Sequence, residues 1–235
     1  MAQMLSHKDS AAKVKRAVRR HLRLARRSGD EKAIAVAERI TKPLVVLEEA
    51  TTAAAKAVEA AEDAFDDWNQ DDARLDQLVR RLNLRCRDWD LTHSGARTVE
   101  LVFGDMTPSE ITYAPRHKEP ELVAKLLVRA RQLPEDHPAV PLLGDLERAT
   151  QASRRAQQAY VDAQQRVAAA SAEVQMAKAV LIRAYRDNFI DIERACGVEV
   201  AEEAFPTLRR YRKMREEERE LLGEVADQLG DDAGE

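Results

Sequence analysis

Aromatic residues, glycine and proline are all scarce in this chain of 235 residues. Aromatic side chains make up 4 % of the sequence, and there are eight glycines and eight prolines. The abundant residues are helix formers such as Ala, Arg, Glu and Leu, and 34 % of the chain is charged. High charge with few aromatics and few helix breakers is typical of long helices and coiled coils, and it argues against a thick globular core.

Long apolar runs and a cysteine framework are also missing. No stretch of 18 apolar residues occurs, so the sequence predicts no membrane-spanning helix. Two distant cysteines, Cys86 and Cys196, make no disulfide framework, so a reducing, cytoplasmic location is expected. The N-terminus lacks the apolar centre of a secretory signal. Its Arg-rich, acid-poor composition also describes a mitochondrial transit peptide, but arginine exceeds lysine along the whole chain.

Sequence motifs that carry chemistry are missing as well. The five histidines show no H-E-x-x-H or paired spacing, the cysteines show no C-x-x-C, and there is no Gly-rich phosphate loop. Asp90, His93 and Ser94 lie close together in "DWDLTHSG", but a catalytic triad takes its members from separate elements. The sequence therefore predicts a protein that is not an enzyme, with no metal, no cofactor and no evident small-molecule substrate.

The most informative feature that is present is an internal duplication. "PLVVLEEAT" (43–51) returns as "PLLGDLERAT" (141–150) with one inserted residue. After the insertion the two copies stay in register at an offset of 99, so that residues 63–64 match residues 162–163. This predicts an all-α fold built from two tandem helical repeats.

The duplication also predicts the organisation of the chain. Each repeat is expected to be a short helix, a turn, and a long helix with a proline in its first turn, where proline is tolerated. Repeat 1 is predicted over residues 1–103, with a basic N-terminal helix. A linker rich in proline and turn residues follows over 104–120, then repeat 2 over 121–205. A C-terminal helix with an acidic tail is predicted over 206–235.

Both predicted long helices carry an apolar period of 3.5 residues, which favours a coiled coil. Alanine at alternate seam positions lets two backbones come close, and a single chain must return, so antiparallel packing in an elongated bundle is expected. Each helix of roughly 50 residues would be about 75 Å long, and symmetric helices would meet near Trp68 and Val167. The seam positions are Leu47, Ala50, Ala54, Ala57, Ala61, Ala64, Trp68, Asp71, Leu75, Leu78 and Leu82 in repeat 1, and Leu142, Leu146, Ala149, Ser153, Ala156, Tyr160, Ala163, Val167, Ala170, Val174, Ala177, Leu181 and Ala184 in repeat 2.

Three short runs read as strands instead of helices. They are residues 99–102, 198–200 and 111–113, which are rich in β-branched or aromatic side chains. The first two occupy matching positions in the two copies. They predict a short β ladder at the repeat ends.

The stretch "KVKRAVRRHLRLARR" (13–27) predicts a helix with a basic face. Val14, Val18, His21, Leu22 and Ala25 cluster on one side at helical spacing, and the basic residues fall on an opposite arc of about 160°. This face could bind nucleic-acid phosphates, an anionic membrane, or an acidic surface of this chain or of a partner. The apolar side of the helix is small, which disfavours binding to a membrane. The candidate binding residues are Lys13, Arg16, Arg19, Arg20, Arg23, Arg26 and Arg27.

The stretch "DDWNQDDARLD" (66–76) concentrates acids around Trp68. It imitates the start of a calcium loop, but Asp72 stands where glycine is required and Leu78 where a chelating Glu is required. The aligned residues 165–175 of the second copy hold no acid cluster, so the fold does not need these acids. The stretch is expected to be a solvated helix face, with Trp68 in the core. The alternative is an acidic docking patch made by Asp66, Asp67, Asp71 and Asp72.

These observations favour a non-enzymatic structural or adaptor protein that acts through helical coiled-coil surfaces as a subunit of a larger assembly. A protein partner or self-association is expected. The alternative hypothesis is a nucleic-acid-associated protein that binds phosphates through the basic helix. The acidic tail could cover the same basic face.

Overall fold

The computed structural model describes residues 4–206, and within them the chain forms eight α-helices and no strand. The all-α prediction is confirmed. The predicted C-terminal helix beyond Pro206 and the acidic tail lie outside the described residues. The helices are α1 (Ala11–Ser28), α2 (Glu31–Glu38), α3 (Thr41–Thr92), α4 (Thr98–Phe103), α5 (Pro108–Thr112), α6 (Glu119–Ala130), α7 (Val140–Cys196) and α8 (Val198–Ala204).

The two long helices have the length that the sequence predicts. Helix α3 has 52 residues and α7 has 57, and each carries its proline, Pro43 or Pro141, in the first turn. None of the predicted seam residues on either helix is exposed, and Leu47, Leu75 and Leu181 are fully buried. The prediction of which face is covered is therefore confirmed. The duplication and the supercoil remain predictions.

The predicted β ladder is wrong, because all three strand-like runs are helical. Residues 99–102 belong to α4, residues 198–200 to α8, and residues 111 and 112 to α5. Capping favours two of these short helices: Thr107 and Glu110 form a capping box that starts α5, and α4 is held by a carboxylate described below. Periodicity alone cannot separate a short apolar strand from a short buried helix.

The described chain divides into two compact units. Unit 1 holds residues 4–54 and 169–206, and unit 2 holds Ala55–Ala168. Each long helix contributes to both units, so each unit combines segments of the two predicted repeats. The predicted boundaries at 103 and 121 are not unit boundaries, and the repeat organisation itself stays a prediction.

Unit 1 packs α1, α2 and α8 against the first turns of α3 and the last turns of α7. The segment before α1 is fixed to α7: the Leu5 carbonyl accepts a 2.7 Å hydrogen bond from Arg186, and the His7 carbonyl accepts one of 3.0 Å from Lys178. The main buried side chains are Leu5, Val14, Val18, Ile40, Leu47, Leu181, Ile182, Tyr185 and Phe205.

Unit 2 packs α4, α5 and α6 against the rest of α3 and the first turns of α7. The long helices run antiparallel here, since Phe65 lies 5.4 Å from Tyr160 and Trp89 lies 4.9 Å from His137, ring to ring. Trp68 meets Tyr160 at 5.7 Å, so the expected meeting with Val167 is displaced by one heptad. The two helices therefore do not pair midpoint to midpoint. The main buried side chains are Leu75, Val79, Leu82, Val102, Phe103, Ile111, Leu126 and Leu146.

Candidate docking surfaces

Helix α1 directs its apolar face into unit 1, as the sequence predicts. The Ser10 hydroxyl caps its start by accepting a hydrogen bond from the Lys13 amide, and Gly29 ends it with φ = 73°, a left-handed conformation that glycine adopts without strain. The predicted binding residues lie on the other side. Lys13, Arg16, Arg19, Arg23, Arg26 and Arg27 are exposed and Arg20 is half-buried, whereas Val14, Ala17, Val18, His21 and Ala25 are buried.

Part of this basic face is neutralised within unit 1. Arg19 forms a 2.6 Å ion pair with Glu48, and Arg26 forms a longer one of 3.5 Å with Glu38. Lys13 pairs with Asp9 one turn earlier. Arg23 and Arg27 are one turn apart and form no ion pair with any residue in the range 4–206. These two arginines are therefore the predicted binding residues that are best placed to contact an external anion.

His21 lies beneath the basic face and serves the core. Its Nδ1 is 2.8 Å from the Ala204 carbonyl and must donate to it, which leaves Nε2 to accept a hydrogen bond from Asn188 at 3.4 Å. The ring stacks on Phe205, with centroids 3.9 Å apart. Burial lowers the pKa of His21 to about 4, against a weaker opposing effect of the hydrogen bond to Ala204. The ring is therefore neutral near pH 7 and is not part of the cationic surface.

The acidic segment lies in the middle of α3 and is helical throughout, not a loop. Of the four predicted patch residues, Asp66 and Asp67 are exposed, whereas Asp71 and Asp72 are half-buried. Asp72 is the only one of the four with an ion pair among the described residues, to Arg116. Asp66 and Asp67 therefore face solvent, whereas Asp72 is held by a contact within unit 2.

Arg116 comes from the predicted linker and binds this segment. Its Nε lies 3.1 Å from Asp72 Oδ2, and its guanidinium also donates to the Asn69 side chain. The guanidinium carbon lies over two rings, 5.7 Å from the centroid of Phe65 and 6.0 Å from that of Trp68. Together with Tyr160 these two side chains form an aromatic cluster. No sequence spacing indicates the contact between Arg116 and α3, because 47 residues separate Arg116 from Asn69.

Behind Arg116, three carboxyl groups lie close together. Glu119, in the first turn of α6, is 1 % exposed. Burial and the neighbouring Asp72 and Asp76 raise the pKa of Glu119 to about 9. Burial also raises the pKa of Asp76. One oxygen on each of the three carboxyl groups lacks a hydrogen-bond donor among the residues described. A protonated Glu119 supplies a donor, so the cluster holds a proton near neutral pH.

Of the neighbours Asp90, His93 and Ser94, the first two make separate contacts. The Asp90 carboxylate caps α4, accepting hydrogen bonds from the Thr98 and Val99 amides at 2.7 and 3.0 Å. Burial alone would raise the pKa of Asp90, but these hydrogen bonds outweigh it and lower the pKa. His93 stacks on Trp89 at 3.6 Å. In residues 4–206 no group of three or more His, Cys, Asp or Glu side chains is arranged to hold a metal ion.

Unit 1 has an apolar groove between the start of α3 and the second half of α7. Its volume is about 650 Å³. Met176 and Val180 on its α7 side are 62 % and 59 % exposed, which is unusual for large apolar side chains. The lining residues are Lys42, Pro43, Val46, Glu49, Ala50, Ala53, Glu173, Met176, Ala177 and Val180. We call it the apolar groove.

Unit 2 has a second groove between the middle of α3 and the first half of α7, with a volume of about 590 Å³. It differs from the first because aromatic and acidic side chains line it. Its lining residues are Val58, Ala61, Glu62, Phe65, Asp66, Tyr160, Gln164 and Val167. We call it the acidic groove. The sequence prediction identified Asp66 but missed Tyr160 and Glu62 as its neighbours.

Comparison of the chain with protein-family models, with curated proteins and with solved structures finds no match. No helix within residues 4–206 combines the length and the apolarity needed to cross a lipid bilayer.

Proposed function

We propose that this protein is a non-enzymatic adaptor that binds an amphipathic helix of a protein partner in the apolar groove of unit 1. The observation that supports the proposal is the exposure of Val46, Met176 and Val180 around that groove. Large exposed apolar side chains that line one concave surface are typical of a protein interaction site. An amphipathic helix laid in a groove is a common recognition mode between helical proteins.

The chemistry of the groove defines what the partner helix must carry. Small side chains, Ala50, Ala53 and Ala177, lie between the larger ones and let a helix approach closely. Apolar residues at helical spacing would fill this centre. Lys42, at the start of α3, favours an acidic residue at one position of the partner, and Glu49 favours a basic residue at another.

The proposal keeps the function that the sequence favours, a subunit of a larger assembly that acts through helical surfaces. Two seam residues, Ala50 and Ala177, line the apolar groove, and the exposed side chains around them, Val46, Met176 and Val180, lie outside the seam. The tandem repeats, the coiled-coil pairing and a cytoplasmic location belong to the same proposal.

The test is a pull-down of the tagged protein from native extract. Met176→Glu with Val180→Glu introduces two charges into the apolar groove. The matched control, Leu84→Glu with Val128→Glu, introduces two charges at exposed apolar positions of unit 2. A partner recovered near equal stoichiometry by the wild type and the control, but absent with the groove variant, supports the proposal. Equal recovery by all three proteins contradicts it, provided that circular dichroism shows equal helix content.

A second candidate function is nucleic-acid binding through α1, which the exposed Arg23 and Arg27, without an ion pair among the described residues, favour. Their replacement by Gln is expected to weaken binding to duplex DNA or RNA. It should also reduce the slope of log affinity against log salt by about 0.9 for each B-DNA phosphate that is no longer neutralised. A wild-type affinity that does not change with salt concentration rules this function out. Nuclease treatment of the pull-down separates the two candidates, since a protein partner persists and a nucleic-acid tether does not.

A membrane role for α1 has less support than either candidate. The apolar side chains that would enter the lipid, such as Val14 and Val18, are buried in the core of unit 1. An interfacial helix needs that face free.

A further inference from the structure

We propose that the acidic groove of unit 2 binds arginine side chains from a basic segment of a protein partner. Phe65 and Tyr160 line the groove with aromatic rings, and Glu62 and Asp66 line it with carboxylates. A planar guanidinium can stack flat on a ring while two of its N–H groups donate to a carboxylate, whereas an ammonium group is attracted to the ring as a point charge and has no plane to stack. This binding site is separate from the apolar groove and does not depend on it.

The chain itself contains an example of the proposed interaction. The Arg116 guanidinium lies over Phe65 and Trp68 and forms an ion pair with Asp72 at 3.1 Å. Phe65 belongs both to that interaction and to the acidic groove. No Lys or Arg of the part of the chain that the structure describes lines the groove. The same combination of ring and carboxylate is therefore repeated beside Arg116 without a cation from residues 4–206.

The negative charge of the α3 surface favours a positively charged occupant. Six carboxylates along this part of α3 form no ion pair with any described residue, and several are one turn apart. Like charges one turn apart destabilise a helix, and a bound cationic segment would remove that cost. The same charges repel phosphates, which excludes a nucleic acid or an anionic lipid from this groove. The six residues are Glu59, Glu62, Asp63, Asp66, Asp67 and Asp71.

Under the predicted duplication, three of these acids, Asp66, Asp67 and Asp71, have no acidic counterpart in the second copy. Residues 165–175 of α7, which align with the acidic stretch 66–76, form the same kind of long helix without an acid cluster. Their concentration on one helix beside two aromatic rings therefore calls for another explanation, which a basic partner supplies.

The experiment uses the full chain and two fluorescein-labelled probes, hexa-arginine and hexa-lysine, with binding measured by fluorescence anisotropy. The wild type is expected to bind hexa-arginine about tenfold more tightly than hexa-lysine, because only the guanidinium stacks on the rings. The groove variant, Glu62→Gln with Asp66→Asn, is expected to weaken hexa-arginine binding about tenfold. The control variant, Glu199→Gln with Glu203→Gln, removes two exposed charges from α8 in unit 1 and should change the affinity less than about twofold.

A third variant tests the aromatic contribution. Phe65→Leu with Tyr160→Leu keeps apolar side chains in the groove and should bring the two probes to equal affinity. Equal affinity of the wild type for both probes overturns the proposal, as does an equal loss of affinity in the groove and control variants. Self-association that disappears both in the groove variant and in a variant of Arg23 and Arg27 also overturns it, because α1 of a second copy then occupies the groove.

Discussion

The imidazole of His21 lies against the ring of Phe205, with centroids 3.9 Å apart and planes inclined by 29°. This stacking joins α1 to the residue that follows α8. Tyr185 and Phe189 of α7 pack edge-on against the same phenyl ring, at 4.9 and 5.2 Å. Helices α1 and α7 thus both pack against one aromatic side chain, Phe205, near the end of the described chain.

Truncation of this ring is expected to destabilise unit 1 strongly. Phe205→Ala should lower the free energy of unfolding of unit 1 by about 3–5 kcal/mol, because it removes a buried aromatic side chain and leaves a cavity. Hydrogen exchange, followed by mass spectrometry, measures the decrease in protection of α1 and α8. Leu91→Ala is the control, since Leu91 is 84 % exposed, and it should change stability by less than about 0.5 kcal/mol. Unchanged protection of α1 in Phe205→Ala would show that α1 is not held by this ring.

Unit 1 is expected to lose stability in acid because of His21. The unfolded ring binds a proton near its ordinary pKa of 6.5, whereas the folded ring does so only near pH 4. Protons therefore favour the unfolded state between these values, and stability is complete only above pH 6.5. The decrease down to pH 4 should be about 3 kcal/mol, at about 1.4 kcal/mol per pH unit.

Urea unfolding followed by circular dichroism and hydrogen exchange over this pH range measures the effect. His21→Gln should be less stable than the wild type at pH 7 and should show a smaller slope of stability against pH. His93→Gln replaces an exposed histidine of unit 2 and should keep the slope. If the slope of stability against pH is unchanged in His21→Gln, the acid sensitivity is due to other groups.

Unit 2 is expected to respond to pH in the opposite direction because of Glu119. The unfolded side chain loses its proton near pH 4.5, whereas burial beside two aspartates keeps the folded one protonated up to about pH 9. The stabilisation is therefore complete below pH 4.5 and is lost as the pH rises towards 9. Glu119→Gln keeps a donor for the aspartates and removes the titration, so its stability should be nearly flat between pH 5 and 9.

Tryptophan fluorescence is a suitable probe for this prediction, since Trp68 and Trp89 both lie in unit 2. Glu121→Gln, which changes an exposed residue of the same helix, should retain the wild-type slope. If the stability of Glu119→Gln decreases with rising pH as steeply as that of the wild type, the buried proton is on another group.

The cap of α4 by Asp90 is expected to contribute measurably to unit 2. Asp90→Ala leaves the Thr98 and Val99 amides without their acceptor and should cost about 2 kcal/mol. Asp90→Asn keeps one oxygen acceptor and should cost about half as much. Asp88→Ala, at an exposed position on the same helix, serves as the control. Exchange rates of the Thr98 and Val99 amides report directly on the cap, and no acceleration in Asp90→Ala would contradict it.

The parts of the fold that could be predicted are those with a long repeating signal. The seam on α3 and α7 extends over many turns, so a polar residue at one position, such as Asp71, does not change the assignment. The run at residues 99–102 has no such redundancy. Whether this run forms a helix or a strand depends on Asp90, which caps α4 from the preceding long helix. The local sequence pattern contains no information about that interaction.

The site residues show the same limit. The basic face of α1 follows from helical spacing and could be read directly. By contrast, the contacts of Arg116 and the burial of Glu119 depend on how α6 and its preceding segment pack on α3. In the sequence "APRHKEPELV" these two residues look like ordinary surface charges, because nothing local distinguishes a buried glutamate from an exposed one.

The division of the chain into a continuous unit and an interrupted one has a consequence during synthesis on the ribosome. Unit 2 is complete when residue 168 has emerged, but unit 1 must wait for Phe205. Phe205 lies about 150 residues after Ala54, the last residue of the first part of unit 1, which at about 5–20 residues per second corresponds to about 8–30 s. Throughout that interval the nascent α1 can pack against α2 but lacks the residues of α7 and α8 that cover His21. It is therefore the segment on which a ribosome-associated chaperone would be expected to act.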